Sequence, residues 1–219
     1  MNSLPRTIAK RFLSAAQERW YSRFQRCYNL DLSFTEAVAL FPERNALYAY
    51  MHHCFHHRCP ETVRRHRDFF KQEQRGFGED ALHAMWWQLL RQFRPASCLE
   101  IGVYRGQVIS LWSLIARTLS YACEVHGITP LTPVGDQVSV YRVDVNYLQD
   151  ILEFSNFFDL PAPTLVRSLS TEPSAVEHIS SRQWDLIYID GSHDYEVVLA
   201  DYCLCRDHLN PGGLLVLDD

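Results

Sequence analysis

The stretch that decides the fold reads Cys98-Leu99-Glu100-Ile101-Gly102-Val103-Tyr104-Arg105-Gly106-Gln107. A short apolar run reaches an acid, and two glycines four residues apart follow it. Apolar residues then recur at helical spacing through 107–119. This order predicts a buried β-strand, a tight turn and an α-helix. Glycine lets the chain turn sharply and approach a ligand closely, and the helix N-terminus behind the turn offers free N–H groups.

The spacing of this loop separates two classes of nucleotide-binding protein. A dinucleotide-binding loop has three glycines, G-x-G-x-x-G, with a pyrophosphate lying over the turn. Here the pattern is E-x-G-x-x-x-G, and the carboxylate of Glu100 would repel a phosphate. The pattern therefore disfavours a nicotinamide-dependent oxidoreductase.

A second block lies downstream of the glycine loop. It comprises Trp184-Asp185-Leu186-Ile187-Tyr188-Ile189-Asp190-Gly191-Ser192-His193-Asp194-Tyr195 and then Asn210-Pro211-Gly212-Gly213-Leu214-Leu215-Val216-Leu217-Asp218-Asp219. Together the two blocks resemble the class I S-adenosylmethionine-dependent methyltransferases over residues 76–219. The D-G-x-H-x-Y pattern that starts at Asp190 is most similar to the subgroup of metal-assisted small-molecule O-methyltransferases.

Strand and helix patterns alternate from residue 97 onward. Strands are predicted at 97–101, 124–128, 164–167, 185–189 and 214–217, with helices between them. This alternation predicts an α/β fold with a Rossmann-like, doubly wound, mostly parallel sheet. The resemblance implies a further helix and an antiparallel hairpin after strand five. Because an apolar open edge promotes aggregation, we expect either that the sequence is truncated there, the favoured interpretation, or that a partner or the N-terminal helices cover the edge.

The chain divides into a helical N-terminal extension, 1–75, and the methyltransferase-like domain, 76–219. The extension carries 13 basic and 7 acidic side chains, a net charge of +6, and the remainder carries 8 and 19, a net charge of −11. Such an acidic domain argues against a nucleic-acid substrate. The basic extension either packs on the acidic domain, the favoured interpretation, or contacts an anionic partner. Its helices are also candidates for homo-oligomer contacts.

Composition narrows the expected location of the protein. Seven cysteines occur without a C-x-x-C pair, which indicates reduced thiols. No apolar run of about 18 residues and no secretory signal is present. We therefore expect a cytoplasmic protein that has no membrane span.

The resemblance implies cofactor-binding roles for the glycine loop. Glu100 would hold the amino-acid end of S-adenosylmethionine, and Gly102 would let the backbone approach it, so that a larger residue there fills the site. Tyr104 and Gly106 belong to the same loop. The segment 76–79 either folds over the cofactor or is a flexible linker.

The acids that normally bind the ribose and the adenine are both replaced. Thr129 stands at the end of strand two, and either Thr129 or Asp136 from the following loop would contact the ribose. Asp136 is equally well explained as a turn residue. Leu169 stands where an acid would lie near adenine. The adjacent Ser168 and Ser170 either bind the cofactor or cap the next helix.

Three carboxylates, Asp190, Asp218 and Asp219, follow two strands that we expect to be parallel neighbours. They would gather at one edge of the sheet, where hard oxygen ligands suit Mg²⁺ or another divalent cation. The resemblance implies the same metal and a cofactor contact for Asp190. Alternatively, Asp190 caps a helix and the other two acids are solvated. His193 is a candidate general base, or else an ordinary surface histidine.

A histidine-rich segment, 52–59, lies outside the resemblance. On a helix, His52 and His56 form one i, i+4 pair and His53 and His57 form another, and such pairs can bind zinc. No acid accompanies them in the sequence. Packing or surface histidines are therefore the favoured interpretation.

These observations predict an enzyme that transfers the methyl group of S-adenosylmethionine to a hydroxyl of a small molecule. A divalent metal would orient and acidify that hydroxyl. The alternative is a non-catalytic binding module with the same fold. The replacements at Thr129 and Leu169 are its main support.

Overall fold

The computed structural model of the chain describes residues 29–134 and 141–218. The helix-like spacing predicted within residues 5–24, Asp136 and Asp219 lie outside the described residues. Among the described residues, no helix has the length and apolar character needed to cross a membrane.

Between residue 29 and the sheet, the described chain forms four α-helices: α1 (Phe34–Leu40), α2 (Arg44–His57), α3 (Glu61–Lys71) and α4 (Asp80–Phe93). The start of α1 is a capping box, in which Ser33 Oγ accepts from Glu36 N and the Glu36 carboxylate accepts from Ser33 N. Pro60 is the N-cap of α3. This helix ends at Lys71, and a separate 3₁₀ turn covers Gln72–Gln74.

The alternating part of the chain follows the predicted order closely. Its elements are β1 (Ser97–Ile101), α5 (Gln107–Thr118), β2 (Glu124–Thr129), α6 (Tyr147–Phe157), β3 (Thr164–Arg167), α7 (Pro173–Ser180), β4 (Trp184–Ile189), α8 (Tyr195–Asp207) and β5 (Leu209–Leu217). The largest difference is β5, which begins five residues before the predicted Leu214. The Pro-Gly-Gly segment lies inside this strand as an irregularity, because Gly212 adopts φ +81° and the register shifts beside it.

The five strands form one parallel sheet in the order β3-β2-β1-β4-β5. Helices cover both of its faces, so the predicted doubly wound fold is confirmed. Side chains alternate along the strands. Cys98, Leu186 and Tyr188 pack with α1–α5 in one core, and Leu99, Ile101 and Ile187 pack with α7 and α8 in another. The described part of the extension therefore shares a core with the sheet. The boundary at residue 75 stays a prediction.

A buried polar chain joins the extension to α5. His83 Nδ1 lies 3.1 Å from the carbonyl oxygen of Glu79, His66 Nδ1 lies 3.2 Å from His83 Nε2, and His66 Nε2 lies 2.8 Å from Ser110 Oγ. A carbonyl only accepts, so His83 donates through Nδ1 to Glu79, and its neutral ring has its lone pair at Nε2, the atom that faces His66. Burial lowers the pKa of His83 to about 3 and that of His66 well below its usual value. Both imidazoles are therefore neutral in the folded chain near pH 7.

The buried, neutral His66 and His83 predict that the stability of the folded protein depends on pH. In the unfolded chain each histidine takes up a proton below its usual pKa of about 6.5, whereas the folded chain resists protonation down to about pH 3 at His83. The stabilisation is therefore complete above about pH 6.5 and is lost as pH falls. When the pH falls from 7 to 5.5, each of the two histidines should lower the free energy of unfolding by about 1 kcal/mol.

Urea unfolding at the two pH values measures this loss. His83→Gln should lose about 1 kcal/mol less than the parent chain over that interval. The matched control is His57→Gln, because His57 lies on an exposed surface of α2. Equal losses in the parent and His83→Gln chains would contradict the neutral, buried pair.

Candidate functional site

Three strands end flush at the carboxyl edge of the sheet. Ile101 pairs with Ile189, and Ile189 pairs with Leu217, so Gly102, Asp190 and Asp218 follow at the same level. Main-chain hydrogen bonds continue one step past the strands: Asp190 N donates to Ile101 O at 2.8 Å, and Asp218 N donates to Ile189 O at 3.0 Å. The parallel register thus places Asp190 and Asp218 side by side, as their positions in the sequence predicted.

Gly102 lies where two main chains cross. It has φ +99°, and the first carbon of any side chain there would lie 2.0 Å from the carbonyl oxygen of Asp190. The sequence led us to expect that a larger residue at 102 would fill a ligand site. That expectation was wrong, because such a residue would first collide with the main chain of Asp190 and Gly191. A substitution at Gly102 therefore tests folding rather than binding.

Glu100 points from β1 toward the same edge, on the face of the sheet that carries Tyr188. It is 3% exposed, and its Oε2 atom has no hydrogen-bond partner. Burial, and then the charge of Asp190, raise the pKa of Glu100 well above its usual range, while the backbone N–H of Ile109 at the start of α5 opposes the rise. A buried acid without a partner for one oxygen is costly unless a donor or cation meets it.

Asp190, Asp218 and Tyr188 form a second polar group beside Glu100. Tyr188 donates its hydroxyl proton to Asp218 Oδ1 over 3.0 Å. Burial raises the pKa of Asp190, the nearby Asp218 raises it further, and Tyr188 and His193 act in the opposite direction. Burial and the surrounding carboxylates also raise the pKa of Tyr188. Two close carboxylates and a nearby Glu100 form a site of negative potential suited to a cation.

Two cavities lie at this edge of the sheet, and the larger of them opens over these acids. It encloses about 430 Å³ between the sheet edge, the segment before α4, and α4 and α5. Its polar lining comprises His83, Glu100, Tyr104, Gln107, Tyr141, Tyr188, Asp190, His193 and Asp218, and its apolar lining includes Phe77, Leu82, Trp86, Val108 and Leu111. The segment 76–79 is seated on α5, since Gly78 N donates to Gln107 Oε1 at 3.0 Å and Gly76 leaves no room for a side chain beside Gln107.

A smaller cavity of about 200 Å³ adjoins the larger one. The two share Gly102, Tyr141 and Gly191. The smaller cavity has apolar walls from Ile101, Ile128, Pro130, Val134, Leu169 and Val197, and hydroxyl groups from Ser168, Ser170, Thr171 and Ser192. An apolar slot with a polar rim is the usual form of a site for a flat heteroaromatic ring.

Behind this slot lies an acid that the sequence analysis missed. Asp201 of α8 is 2% exposed, and its Oδ2 atom has no partner. Burial raises the pKa of Asp201, and a hydrogen bond with the side chain of Ser170 opposes the rise. In the sequence, Asp201 follows Val197 by four residues. On a helix this spacing puts the two side chains on the same face, which could have indicated that Asp201 lies near the slot.

The remaining predicted site residues have local contacts of their own. Thr129 is buried, and its Oγ1 accepts from Leu131 N at 3.2 Å; it does not line either cavity. Gly106 is the left-handed N-cap of α5 and lies against Ile151. Ser168 lines the smaller cavity but donates to Glu172 Oε2 at 2.7 Å. Asp136 and Asp219 are not among the described residues.

The predicted residues thus divide into two sets. The structure brings Glu100, Gly102, Tyr104, Asp190, His193 and Asp218 to the larger cavity, and Ser168 and Ser170 to the smaller one. Thr129 and Gly106 line neither of these two cavities. Tyr188 and Gln107 were missed, although Tyr188 faces the same side as Glu100 by the two-residue period of adjacent parallel strands.

Comparison with protein families gives a match over the part of the chain that carries this edge. The family described as "Methyltransferase domain" matches residues 99–219. An uncharacterised protein of Acanthamoeba polyphaga mimivirus is 27% identical over 127 residues, which cover 55% of this chain and 50% of that protein. The chain therefore spans about half the length of the curated relative it matches.

Solved structures share the fold at low sequence identity. An O-methyltransferase from Bacillus cereus in complex with SAH has a TM-score of 0.56 and 14% identity, covering 78% of this chain and 72% of that one. A methyltransferase from Podospora anserina bound to SAH has a TM-score of 0.53 and 15% identity, covering 73% and 62%. At this identity the likeness supports the fold alone.

Proposed function

The chain belongs to the methyltransferase domain family, and from this premise we propose that it binds S-adenosylmethionine and methylates a hydroxyl of a small molecule with the help of a divalent cation. The observation that carries the proposal is the buried Glu100 with its unpartnered Oε2 atom at the carboxyl edge of the sheet. An ammonium group satisfies such an oxygen with a charge-assisted hydrogen bond.

The residues present fit this cofactor. Glu100 would hold the amino group, Gly102 and Gly191 would pass beneath the middle of the molecule, and the slot beside Ser170 would take the adenine. The cofactor supplies an electrophilic methyl group on a sulfonium. Transfer to a hydroxyl needs alignment and removal of one proton, so the protein's work is positioning and electrostatics.

Asp190 and Asp218 fit a hard divalent cation, since they are adjacent carboxylates whose mutual repulsion such an ion relieves. The cation would lower the pKa of an acceptor hydroxyl at the same edge. His193 lines the same cavity, and we assign it the removal of the hydroxyl proton. Asp219, the third predicted ligand, stays a prediction.

The apolar walls of the larger cavity suggest the shape of the acceptor. Trp86, Val108 and Leu111 come from two helices and line the same cavity as the acids, and the Phe77 ring packs at a tilt of 34° against Tyr104 with ring centroids 5.0 Å apart. Such walls favour a flat, largely apolar molecule that carries its hydroxyl at one end. The Bacillus cereus neighbour is an O-methyltransferase, and we extend a hydroxyl acceptor to this chain as part of the proposal.

A binding module without catalysis is the second candidate. Thr129 directs its hydroxyl to the Leu131 N–H, so it does not replace the acid expected at the ribose. Binding of the cofactor without turnover on any aromatic or aliphatic alcohol would favour this candidate.

Replacement of Glu100 by glutamine tests the cofactor site. We expect a roughly 10- to 100-fold loss of SAH affinity by calorimetric titration, because one charge-assisted hydrogen bond is lost. The thermal midpoint of the ligand-free chain should stay equal or rise, because the neutral amide removes repulsion with Asp190. The control is Glu177→Gln on the exposed face of α7. Unchanged affinity, or a lower thermal midpoint, would assign Glu100 a structural role instead.

A second substitution tests the cation site. Asp190→Asn keeps the shape of the side chain but removes a charged ligand, so Mg²⁺ or Mn²⁺ titrated into the SAH-bound chain should bind at least about 10-fold more weakly. SAH affinity measured with excess chelator should change much less. Asp207→Asn, on the exposed end of α8, serves as the control. Equal cation binding by the parent and Asp190→Asn chains would refute this site.

We expect the smaller cavity, the slot beside α8, to bind adenine in preference to hypoxanthine. Ser170 donates to Asp201, which leaves its lone pairs facing the cavity as acceptors for an amino group. We expect the parent chain to bind SAH more tightly than S-inosylhomocysteine, whose ring carries a carbonyl in place of the amino group. Ser170→Ala should reduce this preference by about 10-fold, while Ser181→Ala, outside both cavities, should keep it. An unchanged preference in Ser170→Ala would contradict the assignment.

A further inference from the structure

The histidine-rich segment of α2 is the one prominent sequence feature that the proposed methyl transfer does not use. In the structure the two i, i+4 pairs are not equivalent. His52 and His56 face the start of α4, where Asp80 offers a carboxylate, and His56 Nε2 lies 3.3 Å from Asp80 Oδ2. Among the described residues, only His52, His56 and Asp80 form a group of three or more such ligands, with one ligand atom from each within 4.8 Å of the others.

We propose that His52, His56 and Asp80 form a zinc-binding site between α2 and α4. Two imidazoles and one carboxylate are borderline ligands of the kind that Zn²⁺ selects. Bonds of about 2.0–2.1 Å to a tetrahedral zinc require neighbouring ligand atoms about 3.3 Å apart, which is the separation of His56 and Asp80. Three protein ligands leave the fourth position of the ion to water.

The surroundings of Asp80 hold its carboxylate in place for this role. Arg67 Nε and Lys71 Nζ lie 3.1 and 2.8 Å from the Oδ1 atom, so Oδ2 is the oxygen that faces the histidines. A carboxylate fixed through its second oxygen is the usual arrangement around bound metals. The positive charges of Arg67 and Lys71 repel a zinc ion at Asp80, so we expect a micromolar rather than a nanomolar dissociation constant for zinc.

Both histidines lie on the surface, so an ion reaches them without unfolding the chain. His52 and His56 are exposed, and their ring centroids lie 4.6 Å apart, one helical turn from each other. Asp80 directly follows the segment 76–79 that lines the larger cavity. A bound zinc would therefore fasten the start of α4, and with it this wall of the cavity, to α2.

The second pair provides a matched control on the same helix. His53 and His57 have the same spacing, and their rings lie 4.3 Å apart. Asp80 completes a ligand group with His52 and His56 only. Replacement of either pair by glutamine changes composition and formal charge identically, so a difference between the two variants isolates the geometry.

The test is a Zn²⁺ titration of the full chain against a chromogenic chelator, in excess Mg²⁺ so that the carboxylates of Asp190 and Asp218 are occupied. We expect one zinc per parent chain, and Co²⁺ in its place should show the intense visible absorption of a tetrahedral site. The His52→Gln/His56→Gln chain should bind zinc at least about 10-fold more weakly, and the His53→Gln/His57→Gln chain should bind like the parent. Zinc should also raise the thermal midpoint of the parent and control chains by about 2–4 °C but not that of the His52/His56 variant.

Equal zinc affinity of the two double variants would overturn the proposal, as would the absence of stoichiometric binding to the parent chain. Neither outcome depends on S-adenosylmethionine or on Asp190, so the test stands apart from that of methyl transfer. The single variant His52→Gln changes only one exposed side chain. It shows whether zinc affinity is lost through the missing ligand or because the double variant misfolds.

Discussion

The parallel register of β1, β4 and β5 is the constraint on which the candidate site depends. It ends three strands at one level, and the main-chain hydrogen bonds of Asp190 and Asp218 extend the ladder one residue further. Gly102 fits beneath Asp190 and Gly191 because it lacks a side chain. A shift of one residue in either pairing would turn Glu100 or Tyr188 to the opposite face and separate the acids.

This arrangement gathers acidic side chains at the carboxyl edge of the sheet, where they do not stabilise the fold. Glu100 is buried with one unpartnered oxygen, and Asp190 is held near Asp218, so each carboxylate raises the cost of ionising its neighbours. A purely structural edge would be more stable with apolar residues at these positions. Such unfavourable groups gathered in a cavity are typical of a site that binds a cation and orients a reacting group.

The segment 76–79 and α4, which precede the sheet, form part of the site. Leu82, His83 and Trp86 of α4 form one wall of the larger cavity, and the segment 76–79 rests on Gln107 at the start of α5. The chain of His83, His66 and Ser110 then fixes α3 and α4 on the helix that follows the glycine loop, since Ser110 Oγ also lies 2.6 Å from the carbonyl oxygen of Gly106. The position of the cavity wall is thereby linked to the position of the loop.

The sequence predicted the order of the alternating elements, and it predicted the bounds of β1 and β3 to the residue because clear turn signals flank these two strands. It also predicted that Asp190 and Asp218 meet, since parallel strands share one carboxyl edge. It failed at Thr129, whose hydroxyl oxygen accepts from the nearby Leu131 N–H. It also failed where a contact depends on tertiary packing. Gly102 lies against the main chain of Asp190, Asp201 of α8 reaches Ser170, and Asp80 of α4 reaches His56 of α2. No spacing within one element encodes such contacts.

A crystal structure of the chain with bound SAH would test the central claim most directly. The account predicts SAH along the carboxyl edge of the sheet, with its amino nitrogen within hydrogen-bonding distance of Glu100 Oε2 and its adenine in the slot beside Ser170. Density for SAH away from this edge, with Glu100 still unpartnered, would contradict the account.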